Sequence, residues 1–283
     1  MIDYMTYNQK LKSAIQISQS TLCVGLDPNL DLMPDPITST DQSNPKNVEL
    51  FLKQVIDVTK KHCAAYKPNL GFFEALGPDG WDTFQAILDC IPDNKIIIAD
   101  AKRGDISSTA EHYAHAFFDH FDVDAITLNP LMGFETLNPF LNAPSKGIYV
   151  LTLTSNPGAG DILLKQLAGG ETISRFIAKE LNGKQENSKT SIGMVVGATK
   201  AKKLKPVINE FPKSPLLIPG VGKQGGSIKA LNKSLEQHTG IPLINSSRSI
   251  IYAGKNAKNW DQHVAESAKN LKTRLAPITE RYV

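Results

Sequence analysis

KIIIAD, at residues 95–100, is a short run of β-branched apolar residues that ends in a carboxylate. A run this short fits a buried strand better than a helix, which usually needs about 10 residues or more. Similar runs recur along the chain and alternate with longer segments of helical period. We interpret eight of them as strands, at residues 21–27, 64–69, 95–100, 124–129, 147–154, 191–196, 215–220 and 242–247. This alternation is typical of βα units around a parallel sheet.

Eight βα units in a chain of 283 residues predict an α/β fold, specifically a (β/α)8 TIM barrel. A doubly wound open sheet is less favoured, because it usually has fewer strands. Residues 7–18 predict an extra N-terminal helix that closes the bottom of the barrel, and a helix-like segment follows each strand. Because no linker divides the chain, we predict one domain over residues 1–283.

The composition is that of an ordinary globular protein, with 41% hydrophobic and 21% charged residues. The net charge of +3 is spread along the chain without long runs of one sign, so nucleic-acid binding is not predicted. The three cysteines, Cys23, Cys63 and Cys90, lack the spacing of metal ligands, which favours buried free thiols in a reducing compartment. With neither a secretory signal nor a membrane-spanning stretch in sight, we expect a cytoplasmic protein that binds no membrane.

The most informative strand end is the third, which continues as DAKRGDI at residues 100–106. Side chains alternate along a strand, so Asp100 and Lys102 are predicted to point to the same side. At the rim of an apolar barrel, opposite charges about 4 Å apart attract by roughly 4 kcal/mol at an effective dielectric of about 20. Active sites of such barrels lie at the carboxyl ends of the strands. The alternative is an ion pair that is only structural.

Two later strand ends are suited to a phosphate group. PGVGKQGG, at residues 219–226, brings backbone N–H groups together around Gln224, and NSSRSI, at residues 245–250, places Arg248 after the eighth strand. Barrels often bind a substrate phosphate after their seventh and eighth strands. TSNPG, which follows the fifth strand, offers Ser155 to a polar ring edge. A plain tight turn is the alternative for each of the two glycine-bearing segments.

DAKRGDI followed by Thr109 resembles the signature DxKxxDI…T of the orotidine 5′-monophosphate decarboxylases. The resemblance continues through TSNPG, PGVGKQGG and the arginine of NSSRSI, and it covers all eight units. The RG after the lysine is similar to the longer bacterial subgroup. The resemblance implies cofactor-independent decarboxylation of orotidine 5′-monophosphate to UMP, the last step of pyrimidine biosynthesis, with neither a metal nor a cofactor.

Particular roles follow from the resemblance alone. It implies that Lys102 protonates C6 of the pyrimidine within a network of alternating charges formed by Lys67, Asp100, Lys102 and Asp105. It further implies a homodimer in which each subunit contributes Asp105, Ile106 and Thr109 to the site of its partner. The other substrate-binding residues would be Asp27 and Lys67 at the ribose, Ser155 at the pyrimidine, and Pro219, Gln224 and Arg248 around the phosphate. Ser247 is a departure, since compact members often have glycine there.

Two alternatives stay open from the sequence. Mg2+-dependent phosphosugar lyases and decarboxylases of the same barrel suprafamily also carry a DxKxxD segment. The second alternative is a non-catalytic protein, a barrel that has lost its activity and still binds a phosphate ligand. A requirement for metal would indicate the first, and gaps in the charged network would indicate the second.

Overall fold

The computed structural model describes residues 5–39, 41–221 and 227–283. Within them, parallel strands form a closed barrel in the order β1 to β8, which confirms the predicted (β/α)8 fold. The strands are β1 (Leu22–Leu26), β2 (Ala65–Pro68), β3 (Ile96–Arg103), β4 (Ala125–Leu128), β5 (Gly147–Leu153), β6 (Ser191–Val196), β7 (Leu216–Ile218) and β8 (Pro242–Ser246).

The strands occur where the sequence predicts them, with differences at their ends. β6 has the predicted bounds, and most other strands are shorter by a residue or more at one or both ends. β3 is the exception, because it was predicted to end at Asp100 and instead continues to Arg103. Nearly all strand residues are buried, as expected for a barrel whose helices cover its outer face.

Helices follow the strands as the alternation predicts. They are α1 (Tyr7–Ser18), α2 (Asp35–Thr38), α3 (Asn44–Thr59), α4 (Leu70–Glu74), α5 (Asp79–Leu88), α6 (Ser107–Ala114), α7 (Ile173–Gln185), α8 (Ala201–Ile208), α9 (Ile228–Ser234), α10 (Arg248–Ile251) and α11 (Trp260–Thr279). A π-helical segment, His115–His120, extends α6. After β4 the predicted helix is a 3-10 helix, Phe134–Phe140, which contains Pro139. Among these helices, none combines the length and hydrophobicity that a membrane crossing requires.

Contacts within the chain define two compact units. The first comprises residues 1–12 and 102–244, and the second comprises residues 13–101 and 245–283. The single domain that the sequence predicts over residues 1–283 stays a prediction. In the second unit, residues from its first and last parts are in contact, because the hydroxyl groups of Thr21 and Thr279 lie 2.9 Å apart. Cys23 and Cys63 are buried free thiols as predicted, whereas Cys90 is partly exposed.

In the first unit, the start of α1 lies at the amino ends of β4 and β5. The ring of Tyr7 packs on Gly147, where an added Cβ would approach it to 2.8 Å, and the hydroxyl groups of Tyr7 and Tyr149 are 3.0 Å apart. Lys10 forms an ion pair with Asp124, just before β4, at 3.0 Å. These contacts agree with the prediction that this helix covers the bottom of the barrel.

Candidate active site

A buried ion pair marks the carboxyl ends of β2 and β3 in the second unit. Nζ of Lys67 donates to Oδ2 of Asp100 at 2.5 Å, and the two residues are only 5% and 8% exposed. The backbone brings them together, because Asn69 and Asp100 form a parallel bridge just beyond the paired strands. The sequence predicts that Asp100 is paired with Lys102 at this strand end, and the structure shows Lys67 as a partner of Asp100.

The surroundings of Lys67 determine its protonation. Burial by itself lowers the pKa of an ammonium group, but the carboxylates of Asp100 and Asp27 outweigh this effect, so the pKa of Lys67 is raised above its ordinary value. Lys67 therefore stays charged at neutral pH and supplies a fixed cation beside Asp100.

Asp27 follows β1 and has a carboxylate with unused hydrogen-bonding capacity. Its Oδ1 atom is buried and has no hydrogen-bond partner among the described residues. Buried acceptors are normally satisfied, so an orphaned one at a strand end is suited to a ligand that brings a hydroxyl group. Tyr252 contacts the backbone beside this carboxylate, with its hydroxyl group donating to the carbonyl oxygen of Asp27 at 2.6 Å.

Arg248 begins the short helix α10 directly after β8, and it is exposed. Ser247, the residue that departs from the family pattern, lies between β8 and this helix, and its carbonyl accepts from the backbone N–H of Ile250 and of Ile251. The space for the Ser247 side chain is provided by Gly25 of β1, where an added Cβ would lie 1.9 Å from Oγ of Ser247. Gly25 on β1 thus leaves room for the Ser247 side chain after β8.

In the first unit, Lys102 interrupts the regular geometry of β3. Its φ of +50° is in the left-handed region, which side chains other than glycine rarely adopt. The prediction that Asp100 and Lys102 point to the same side of the strand stays a prediction. The backbone N–H of Lys102 donates to Oγ1 of Thr127 on β4 at 2.9 Å, and the Lys102 side chain is exposed.

The loop after Lys102 is held against β4. The backbone carbonyl oxygen of Arg103 accepts a hydrogen bond from the N–H of Asn129 at 2.8 Å. The guanidinium group of Arg103 lies 5.3 Å from the centre of the Tyr113 ring. Gly104 lies so close to Asn129 that an added Cβ would be 2.6 Å from the Asn129 carbonyl oxygen. These contacts fix the backbone between Lys102 and Asp105.

Asp105, Ile106 and Thr109 lie at the start of α6. Asp105 is half-buried and its Oδ1 accepts from the N–H of Ile106 at 2.8 Å, whereas Ile106 and Thr109 are exposed. Ile106 is 51% exposed.

Ser155 and Pro219 contact one segment after β6, residues 197–199. Thr199 donates to the carbonyl oxygen of Ser155 at 3.0 Å, and the N–H of Ala198 donates to that of Pro219 at 2.9 Å. Gly197 allows the close approach, since an added Cβ would lie 2.6 Å from Cα of Ser155. Gln224 lies outside the described residues.

Comparison with known proteins decides the family. The family model described as "Orotidine 5′-phosphate decarboxylase / HUMPS family" matches residues 20–262 of the chain. The chain belongs to this family. It is 41% identical over 247 residues to an orotidine 5′-phosphate decarboxylase of Herpetosiphon aurantiacus, covering 87% of this chain and 90% of that one. It is 38% identical over 282 residues to the enzyme of that name from Dehalococcoides mccartyi, covering 98% and 100%.

Solved structures of the same family share the fold. The OMP decarboxylase of Leishmania donovani superimposes with a TM-score of 0.80 at 30% identity, covering 98% of this chain and 99% of that one. The resemblance that the sequence motifs predict is therefore confirmed at the level of the family.

The structure adds residues that the sequence analysis did not single out. Thr127 holds the backbone of Lys102, and Tyr252 holds the backbone of Asp27. A buried hydroxyl group in the apolar run AITL of β4 was the one available signal for Thr127. Tyr252 follows Arg248 by four residues, and nothing in the sequence connects it to Asp27.

Proposed function

We propose that this chain decarboxylates orotidine 5′-monophosphate to UMP without a metal or an organic cofactor. The observation that carries the proposal is the buried Lys67–Asp100 pair at the strand ends of a family member. A carboxylate that is 8% exposed and fixed beside a cation is preorganised, so it needs no rearrangement to act on charge in a substrate. Relatives that cover most of this chain bear the name of this activity.

In the proposed reaction, the bond between C6 and the carboxylate carbon breaks, and its electron pair stays on C6 as carbon dioxide leaves. Lys102 presents an ammonium group to this developing carbanion and then transfers a proton to C6. Asp100 and Asp105 hold the ammonium in place and disfavour the carboxylate of the substrate. Lys102 is then reprotonated from solvent.

The remaining residues bind the parts of the substrate that do not react. Asp27 and Lys67 bind ribose hydroxyl groups. The buried Oδ1 of Asp27, which has no hydrogen-bond partner among the described residues, can accept a hydrogen bond from one of them. Ser155 takes the amide edge of the pyrimidine, and Pro219, Gln224 and Arg248 surround the phosphate. An exposed arginine is well suited to that last role, because its planar fork can donate two hydrogen bonds to one phosphate. Energy from the remote phosphate then contributes to positioning the pyrimidine.

We also propose that the active form is a homodimer in which Asp105, Ile106 and Thr109 complete the site of the partner subunit. Exposed apolar side chains after β3 and β4 support a protein interface here: Ile106 is 51%, Leu131 72% and Met132 52% exposed. Neither subunit would be active alone. The cytoplasmic location that the sequence predicts remains a prediction.

Substitution of the proposed proton donor tests this chemistry. Lys102→Ala should lower kcat for orotidylate by about 10⁴-fold or more, because the variant loses both the cation and the proton, while its Kd for UMP changes by less than about tenfold. Lys60→Ala, which removes an exposed lysine from a surface ion pair, is the control and should keep full activity. Retained turnover by Lys102→Ala would refute the assigned role.

A further inference from the structure

Tyr252 connects two elements that carry proposed substrate-binding residues, both in the second unit. Its backbone ends α10, the helix that begins with Arg248, and its N–H donates to the carbonyl oxygen of Ile250. Its side chain reaches the turn after β1 that carries Asp27. The sequence separation of this contact is more than 220 residues, so it exists only in the folded chain.

The hydroxyl group of Tyr252 makes two short hydrogen bonds to the backbone of this turn. It donates to the carbonyl oxygen of Asp27 at 2.6 Å and accepts from the N–H of Asn29, also at 2.6 Å. The turn has one further backbone hydrogen bond, from Asn29 N–H to the Asp27 carbonyl oxygen at 3.0 Å. The two contacts of the phenol therefore clamp the backbone on both sides of Pro28.

Aromatic packing fixes the ring that carries this hydroxyl group. Tyr252 stacks on Phe51 of α3 with ring centres 5.6 Å apart and planes 9° from parallel, and Phe51 packs on Trp260 of α11 at 5.4 Å. All three side chains are buried. A ring held in this way keeps its hydroxyl group in place without help from solvent.

Asp27 needs such external support. Its buried Oδ1 has no hydrogen-bond partner among the described residues, so the hydrogen bonds that hold the Asp27 backbone help to set the direction of this carboxylate beside Lys67. We propose that Tyr252 is a positioning residue that orients the Asp27 carboxylate toward a ribose hydroxyl group of the nucleotide, an inference that rests on the proposed function. In this proposed role, Tyr252 acts through the backbone of Asp27 and does not touch the substrate.

A double-mutant cycle with UMP as the ligand tests the inference. Tyr252→Phe keeps the stacked ring and removes both hydrogen bonds, so it should weaken UMP binding about tenfold. Asp27→Ala should weaken it by at least as much. In the Asp27→Ala background, Tyr252→Phe should change Kd by less than about twofold, because there is no carboxylate left to orient.

A matched control separates positioning from general stability. Tyr7→Phe also removes one buried hydroxyl contact, the one with Tyr149 at the amino end of β5, and should lower Tm without changing the Kd for UMP. Full additivity of Tyr252→Phe and Asp27→Ala, or unchanged UMP binding by Tyr252→Phe, would overturn the inference.

Decarboxylation by the wild-type chain is measured beforehand. A wild-type chain that binds UMP but leaves orotidylate unchanged would refute the proposed function, whereas an additive cycle refutes the role of Tyr252 alone.

Discussion

Asp100 and Lys67 depend on each other because both are removed from water. A buried ion pair adds little net stability compared with apolar residues of the same size, yet breaking it leaves one charge unpaired in a medium of low dielectric. The pair is therefore better explained by function than by folding. Such a pair places a permanent charge beside a substrate and holds it in a fixed position.

Removing one partner should show this dependence. We expect Asp100→Ala to lower the free energy of unfolding by about 3 kcal/mol or more, because the ammonium of Lys67 stays buried without its partner. Asp57→Ala, which breaks the ion pair with Lys60 between side chains that are 64% and 42% exposed, should cost less than about 1 kcal/mol. Urea denaturation at pH 7 measures both values. Equal losses for the two variants would contradict the account.

The pH dependence of this contribution follows from the raised pKa of Lys67. A lysine whose pKa is higher in the folded chain than in the unfolded one stabilises the fold fully below the unfolded value of about 10.4. Its contribution is lost only as the pH rises through the folded-state pKa. The difference between the wild-type chain and the double variant Lys67→Met/Asp100→Leu, which leaves neither charge of the pair unpartnered, should therefore stay constant between about pH 6 and 9 when both are unfolded in urea.

At the scale of elements, the end of β3 is shaped by its neighbour β4. Lys102 has a positive φ, its N–H is held by Thr127, and Gly104 packs directly on the backbone of Asn129. Each of these features constrains the loop between Lys102 and Asp105. The position of that loop therefore depends on a close approach that tolerates no side chain at residue 104.

Gly104→Ala should disturb this loop. The added Cβ would lie 2.6 Å from the Asn129 carbonyl oxygen, so the backbone must move, and we expect kcat to fall at least about tenfold with a loss of about 1–3 kcal/mol in stability. Gly160→Ala is the control, because an added Cβ there meets nothing within 4 Å and should leave steady-state kinetics unchanged. Normal kinetics for Gly104→Ala would show that the loop does not need its observed position.

Sequence patterns predict elements better than their ends. β6 and α1 have the bounds that periodicity predicts, because apolar alternation and helical spacing are local signals. The sequence predicts that β3 ends at Asp100, whereas β3 continues to Arg103, where the backbone of Lys102 and Arg103 is hydrogen-bonded to Thr127 and Asn129. The charges at the end of β3 predict that Asp100 is paired with Lys102, whereas the buried contact of Asp100 with Lys67 depends on the register of β2 against β3. Tyr252 could not be found from sequence because its contact with Asp27 is made only through the tertiary structure.

At the scale of the whole molecule, the proposed homodimer makes a quantitative prediction. If Asp105 acts in the site of the partner, then Lys102→Ala and Asp105→Ala subunits are each inactive, but a mixed dimer has one intact site. Equal amounts of the two variants, allowed to exchange subunits, should recover about a quarter of wild-type activity, since half of the dimers are mixed and each has one working site. Activity that stays at the level of the separate variants would contradict a shared site.

Decarboxylation of orotidylate without a metal is the activity that we propose for this chain. The most direct measurement follows the absorbance of orotidine 5′-monophosphate after wild-type protein is added in excess EDTA, with UMP identified as the product. We predict rapid and complete conversion that added Mg2+ does not accelerate. No conversion by folded protein, or conversion only after Mg2+ is restored, would contradict the claim and favour a metal-dependent phosphosugar enzyme.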